Sequence, residues 1–147
     1  MDQQELLKIT GQVNIKVIGE DGQIKEERTI KNLVVTAGKV FIASRIAGTA
    51  SAVMSHLAIG TGAVTPAAGD TTLGAEAGRV ALTSTTPSSN TVVFVATVGA
   101  GTGTGAITEA GLFNAASAGT MLCRTTFSVI NKGASDSITA TWTLTIN

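Results

Sequence analysis

From Ser137 to Ile146 the chain alternates almost without a break. Ile138, Ala140, Trp142, Leu144 and Ile146 take one set of positions, and Thr139, Thr141, Thr143 and Thr145 take the other. A period of two is that of a β-strand with one face buried and one face open. So regular a strand reads as the spine of a β-sandwich, with the apolar set turned into the core.

The rest of the chain repeats the theme in shorter pieces. Val13, Ile15 and Val17 alternate with Asn14, Lys16 and Ile18, and the turn Glu20-Asp21-Gly22 leads into a returning run from Gln23 to Ile30. Asp-Gly between two such runs predicts a β-hairpin. Lys25, Glu26, Glu27 and Arg28 follow one another on the returning strand, which marks it as an exposed edge protected by charge. Ahead of the hairpin, residues 1–10 form an N-terminal arm in which Leu6, Leu7 and Ile9 sit among polar residues; residues 11–147 form a single domain, with the charged hairpin over 11–31.

One helix is predicted, over residues 37–46. The Thr36 hydroxyl is placed to cap it, Ala37, Val40, Phe41 and Ser44 or Ile46 give helical spacing, Arg45 suits its C-terminal dipole, and Gly48 can take the left-handed C′ position. Lys39 stands where a capping box would place Glu or Gln. Further strands are expected over Val53–Ile59, Arg79–Thr85, Thr91–Val98, Ile107–Asn114 and Met121–Ile130, with a turn over Pro87–Asn90. In the third of these Val92, Phe94, Ala96 and Val98 oppose Val93 and Val95, so both faces are expected to be covered. In the last, Met121, Cys123, Phe127 and Val129 share one face. About eight strands with turns at near-regular intervals predict an all-β sandwich or jelly roll, with Phe41, Phe94, Phe127 and Trp142 in its core.

Composition narrows the function classes. The 147 residues include 10 basic and 10 acidic side chains, 14% charged residues and 3% aromatic. With no net charge there is no field to draw the protein to nucleic acid or to an anionic membrane, and no apolar run is long enough to span a bilayer. Of the charges, 6 acidic and 5 basic residues fall within residues 1–31, which leaves the remainder nearly uncharged. A long neutral surface of Thr, Ser, Ala and Gly suits a protein packed in an assembly, because a free protein ordinarily keeps surface charge for solubility. A free Thr-rich sandwich accounts for the same composition. The single Cys123 forms no internal disulfide, and no basic start followed by an apolar segment marks a signal peptide, so synthesis in a reducing cytoplasm is expected.

No motif carries chemistry. Gly99 to Gly105 is glycine-rich but lacks the Lys-Ser/Thr of a phosphate loop and opens no helix, so it is read as a hairpin loop. His56 is the only histidine, which rules out a His-based metal cluster, and Cys123 lies on an apolar strand face where an inert thiol is expected. Asp70, Glu76, Glu109 and Asp136 are scattered. Glu109 stands out as one charge in the apolar run Ile107-Thr-Glu-Ala-Gly-Leu-Phe-Asn114, and pairing with Arg124 on a neighbouring strand would make it a structural ion pair rather than a catalytic group. No catalytic residue, cofactor or metal is expected.

Two segments resemble virion proteins of tailed bacteriophages. They are Lys31-Asn-Leu-Val-Val-Thr-Ala-Gly38 running into Lys39-Val-Phe-Ile-Ala-Ser-Arg45, and Ile107-Thr-Glu-Ala-Gly-Leu-Phe-Asn114 followed by Thr120-Met-Leu-Cys-Arg-Thr125 and Phe127-Ser-Val-Ile-Asn-Lys132. From Asn32 onward the chain is similar to the small β-sandwich decoration, or cement, proteins of phage capsids; Glu-Ala-Gly-Leu-Phe is also similar to stretches of tail-fibre and collar proteins. The resemblance implies a structural protein on the capsid surface, made in the host cytoplasm, that binds the major capsid protein across its subunit joints as a dimer or trimer. A tail, collar or tail-fibre component is the alternative. Expected partner contacts are Leu6, Leu7 and Ile9 of the arm and Lys25, Glu26, Glu27 and Arg28 of the hairpin, and deletion of residues 1–9 is expected to abolish attachment while leaving the sandwich folded.

Overall fold

In the computed structural model, which describes residues 7–49 and 51–147, the chain folds into two antiparallel five-stranded sheets packed face to face. The strands are β1 (Ile9–Ile18), β2 (Ile24–Lys31), β3 (Leu33–Val34), β4 (His56–Gly60), β5 (Glu76–Ala81), β6 (Ser84–Ser88), β7 (Thr91–Val98), β8 (Gly105–Phe113), β9 (Met121–Lys132) and β10 (Ser137–Ile146), with α1 (Thr36–Ile46) between β3 and β4. The first sheet has the order β2-β1-β10-β7-β6 and the second β3-β9-β8-β4-β5. The expected all-β sandwich is therefore the fold, with ten strands among the described residues rather than about eight.

The terminal strand is the centre of the first sheet. It pairs with β1 from Ile9 opposite Ile146 to Ile18 opposite Ser137, and with β7 on its other side. Ile138, Ala140, Trp142 and Leu144 are buried, and Trp142 lies between Val13 and Phe94 of its neighbours with its indole N–H donating to Asn32 Oδ1 at 3.2 Å. Ile146, the last of the apolar set, is 39% exposed at the sandwich end. Strand β7 matches its expected range but not its expected cover: Phe94, Ala96 and Val98 are buried, while Val93 and Val95 face outward and are half-buried, because no second layer lies over that side.

Three further differences have local causes. The run expected as one strand over Arg79–Thr85 is divided, β5 lying in the second sheet and β6 in the first, with Leu82 and Thr83 crossing between them. Pro87 sits inside β6 and not in a turn; an edge strand tolerates it because one of its sides needs no donor. In β9, Phe127, Ser128 and Val129 bulge opposite Thr108, since Ile107 faces Ile130 while Glu109 faces Thr126. The bulge turns Val129 out to solvent and leaves Phe127 half-buried, so Ile130 takes the core position instead. Phe41 is likewise half-buried against the core rather than within it.

The helix begins one residue earlier than its spacing predicts. Val34 and Val35 are both buried and extended, so Val35 occupies the N-cap without a side-chain hydrogen bond, and the Thr36 N–H is satisfied by the Ala68 carbonyl at 2.8 Å. The far end ends as expected, with Gly48 at φ +72° and its N–H on the Arg45 carbonyl. Gly38 is the buried residue of the helix, and a Cβ there would collide with the Leu122 backbone carbonyl of β9. Gly38→Ala must push α1 off the sheet, an overpacking cost of about 1–3 kcal/mol. A urea unfolding midpoint lowered accordingly is the expected result, and an unchanged midpoint would contradict this packing.

Candidate functional site

Chemistry in a fold concentrates where ionisable groups are buried together. Glu109 in β8 and Arg124 in β9 point to the outer side of the second sheet, together with Gly111 and Phe113, and the loop over residues 61–75 closes over them. Glu109 Oε1 accepts from the N–H groups of Gly62 and Ala75 at 2.9 and 2.7 Å. Its Oε2 accepts from Gly74 N at 2.8 Å and from Arg124 Nε and Nη2 at 3.2 and 2.8 Å. Arg124 Nη1 reaches Asp70 Oδ2 at 2.9 Å, and that oxygen also accepts from Ala67 N. Burial raises the Glu109 carboxyl, but the hydrogen bonds from Ala75, Arg124, Gly74 and Gly62 outweigh it and hold the group below the usual carboxylate range. With both oxygens saturated by five donors, the group has no lone pair directed at an open site; it holds a loop to a sheet. The pairing with Arg124 is the one read from the sequence, and Asp70 is the member that reading missed.

The other buried ionisable groups are also committed. Cys123 is fully buried, its thiol pushed up by burial, and lies two strands from His56, whose Nδ1 meets Ser55 Oγ at 2.8 Å. Lys132 is buried, with its ammonium on the Gly99 carbonyl at 2.9 Å; desolvation lowers its pKa against the pull of Asp136. In the glycine-rich loop, Gly101 N binds the Ala134 carbonyl and Thr102 N that of Gly99, so the segment folds on itself and against the β9–β10 turn. Among the described residues no group of three or more His, Cys, Asp or Glu could hold a metal ion, and no helix is long and apolar enough to cross a membrane.

The expected contact residues separate. Leu6 lies outside the described residues, Leu7 is exposed, and Ile9 packs on the core as the first residue of β1. Because Lys8 exchanges main-chain hydrogen bonds with Asn147, deletion through Ile9 would remove part of the first sheet along with the arm. On the hairpin, Lys25 binds Asp136 at 2.9 Å, holding that carboxyl below its usual range, and Glu27 accepts from Asn14. Arg28 binds Glu26 and reaches across to the β9 bulge, donating to the Ser128 and Val129 carbonyls at 2.7 and 3.0 Å. These charges fasten the sandwich edge. Glu20 and Asp21 at the hairpin tip stay exposed.

Two surfaces remain. The outer face of the first sheet carries cross-strand rows set by the register: Asn14, Thr141, Val95 and Ser84 in one, Gln12, Thr143, Val93 and Thr86 in the next. Across β1, β10, β7 and β6 the one outward charge is Lys16. The second surface is the end of the sandwich beside α1. There an apolar groove of ≈ 250 Å³ runs between Phe41 and Ile42 of the helix and Val92, Phe94 and Leu144 of the first sheet. Val53, 58% exposed, lines it, and a second hollow that shares Ile42 is lined by Ile46, 83% exposed, with Lys8 and Lys39.

Fold and surface together define an all-β sandwich whose ionisable groups are largely spent on its own architecture. No protein-family model, curated protein or solved structure matches the chain.

Proposed function

We propose that this chain is a structural virion protein of a tailed bacteriophage that decorates the capsid and binds across joints between major capsid subunits as a homo-oligomer. The observation that supports the reading is the outer face of the first sheet, where rows of Thr, Val, Asn and Ser cover four strands with Lys16 as the single charge. Such a face loses little on desolvation, and the centre of a protein interface is depleted of charge in the same way. The resemblance of the Lys31–Arg45 and Ile107–Lys132 segments to phage virion proteins supports a location on the particle. A shell is stabilised by many modest contacts repeated over symmetry-related copies, so no single reactive site is required.

Charge placed in the middle of this face tests the reading. Thr141→Lys with Val93→Lys alters two outward-facing, half-buried side chains, and an unchanged far-ultraviolet circular dichroism spectrum is the control that the variant keeps its fold. Retention on shells lacking the protein is expected to fall by about tenfold or more; retention equal to that of the unaltered protein would overturn the proposed face.

A further inference from the structure

The two ends of the sandwich carry complementary surfaces, and we propose that copies join head to tail, the β1–β2 hairpin tip of one seated on the α1 end of the next. The inference deepens the proposed function and rests on it for the expectation that copies meet. At the tip, Glu20 and Asp21 are exposed, and Ile24, 53% exposed, lies across the hairpin from Ile18. The opposite end offers the apolar groove lined by Val53 and Arg45 and, adjoining it at Ile42, a hollow lined by Ile46, Lys8 and Lys39, and α1 contains no acidic residue. An acidic loop bearing an exposed isoleucine thus faces an apolar end that carries three basic side chains, which is complementarity in both charge and polarity.

Distance makes the contact intermolecular. Strand β1 runs from Ile9, beside the helix, to Ile18 at the tip, and its ten residues span about 33 Å. The two surfaces of one copy therefore cannot meet. A heterologous contact of this kind closes into a ring where the rotation permits, and otherwise continues as a chain.

Cysteine pairing reads the geometry directly, because the native Cys123 is buried and does not compete. Full-length Ile24→Cys and Ile46→Cys proteins mixed under mild oxidation are expected to form a disulfide between unlike copies, with little product from either alone. No mixed product, or self-linking of either variant as efficient as the mixed reaction, would overturn the arrangement. Sedimentation at low ionic strength gives the second readout. Glu20→Lys is expected to weaken self-association by about tenfold, and adding Lys39→Glu should restore it; a Glu20→Lys protein that associates unchanged, or one that the second substitution fails to rescue, contradicts the pairing. Removing residues 1–6 is expected to leave association in place, whereas its loss would assign the groove to that segment and overturn the proposal. A protein monomeric in solution that still coats shells would sink this contact and leave the proposed function standing.

Discussion

Glu109→Ala is expected to lower the thermal unfolding midpoint by about 10 °C. The substitution leaves the Arg124 guanidinium buried with Asp70 alone, and strips the N–H groups of Gly62, Gly74 and Ala75 of their acceptor. Removing one partner of a buried pair costs about 3–5 kcal/mol, and each kcal/mol shifts the midpoint of a chain this size by about 2–4 °C. Differential scanning calorimetry checks the shift, and proteolysis should quicken within residues 61–75. A midpoint within about 2 °C of the unaltered protein would mean that the cluster does not hold the loop. The pH dependence has a definite sign. Because the folded carboxyl lies below its ordinary value of 4.5, its contribution is complete above that pH and is lost as pH falls through the folded value. Glu109→Gln should therefore flatten the acid limb of the stability curve and leave the neutral-to-basic range parallel to that of the unaltered protein.

Trp142→Ala is expected to destabilise the fold by about 3–5 kcal/mol, a large part of the total for an ordinary domain of about 5–15 kcal/mol. Trp142 is fully buried at the centre of the central strand, and truncation opens a cavity between Val13 and Phe94 while leaving Asn32 Oδ1 without its donor. Urea unfolding followed by far-ultraviolet circular dichroism is the suitable measurement, since the chain has a single Trp and the variant loses its fluorescence. A lower midpoint with an unchanged slope is expected. A loss below about 1 kcal/mol would contradict the placement of the indole at the core.

What the sequence made legible was mostly local. The alternation of Ser137–Ile146 and of Thr91–Val98 identifies both strands to the residue, because a period of two is an immediate consequence of backbone geometry. Glu109 could be read as paired since a lone carboxylate in an apolar strand must find a cation, and Arg124 lay on the strand expected beside it. Asp70 could not: it joins the cluster from 54 positions away, through a loop with no periodicity. The inversion of Val129 and Ile130 was hidden for a similar reason, as the bulge at Phe127–Val129 is satisfied by Arg28 of a strand in the other sheet. The hairpin charges were legible as charges, but their fastening role appears only once β2 lies over β9. The apolar groove depends on the position of α1 against Leu144 and Val92, a tertiary fact that no segment encodes by itself.

The measurement that bears most directly on the proposed role is the copy number of this protein relative to the major capsid protein in purified particles, obtained by quantitative mass spectrometry. A ratio of the same order as the capsid protein is the result expected of a protein that coats the shell. A few copies per particle, as for a tail or collar component, or its absence from particles, would contradict the role in capsid decoration.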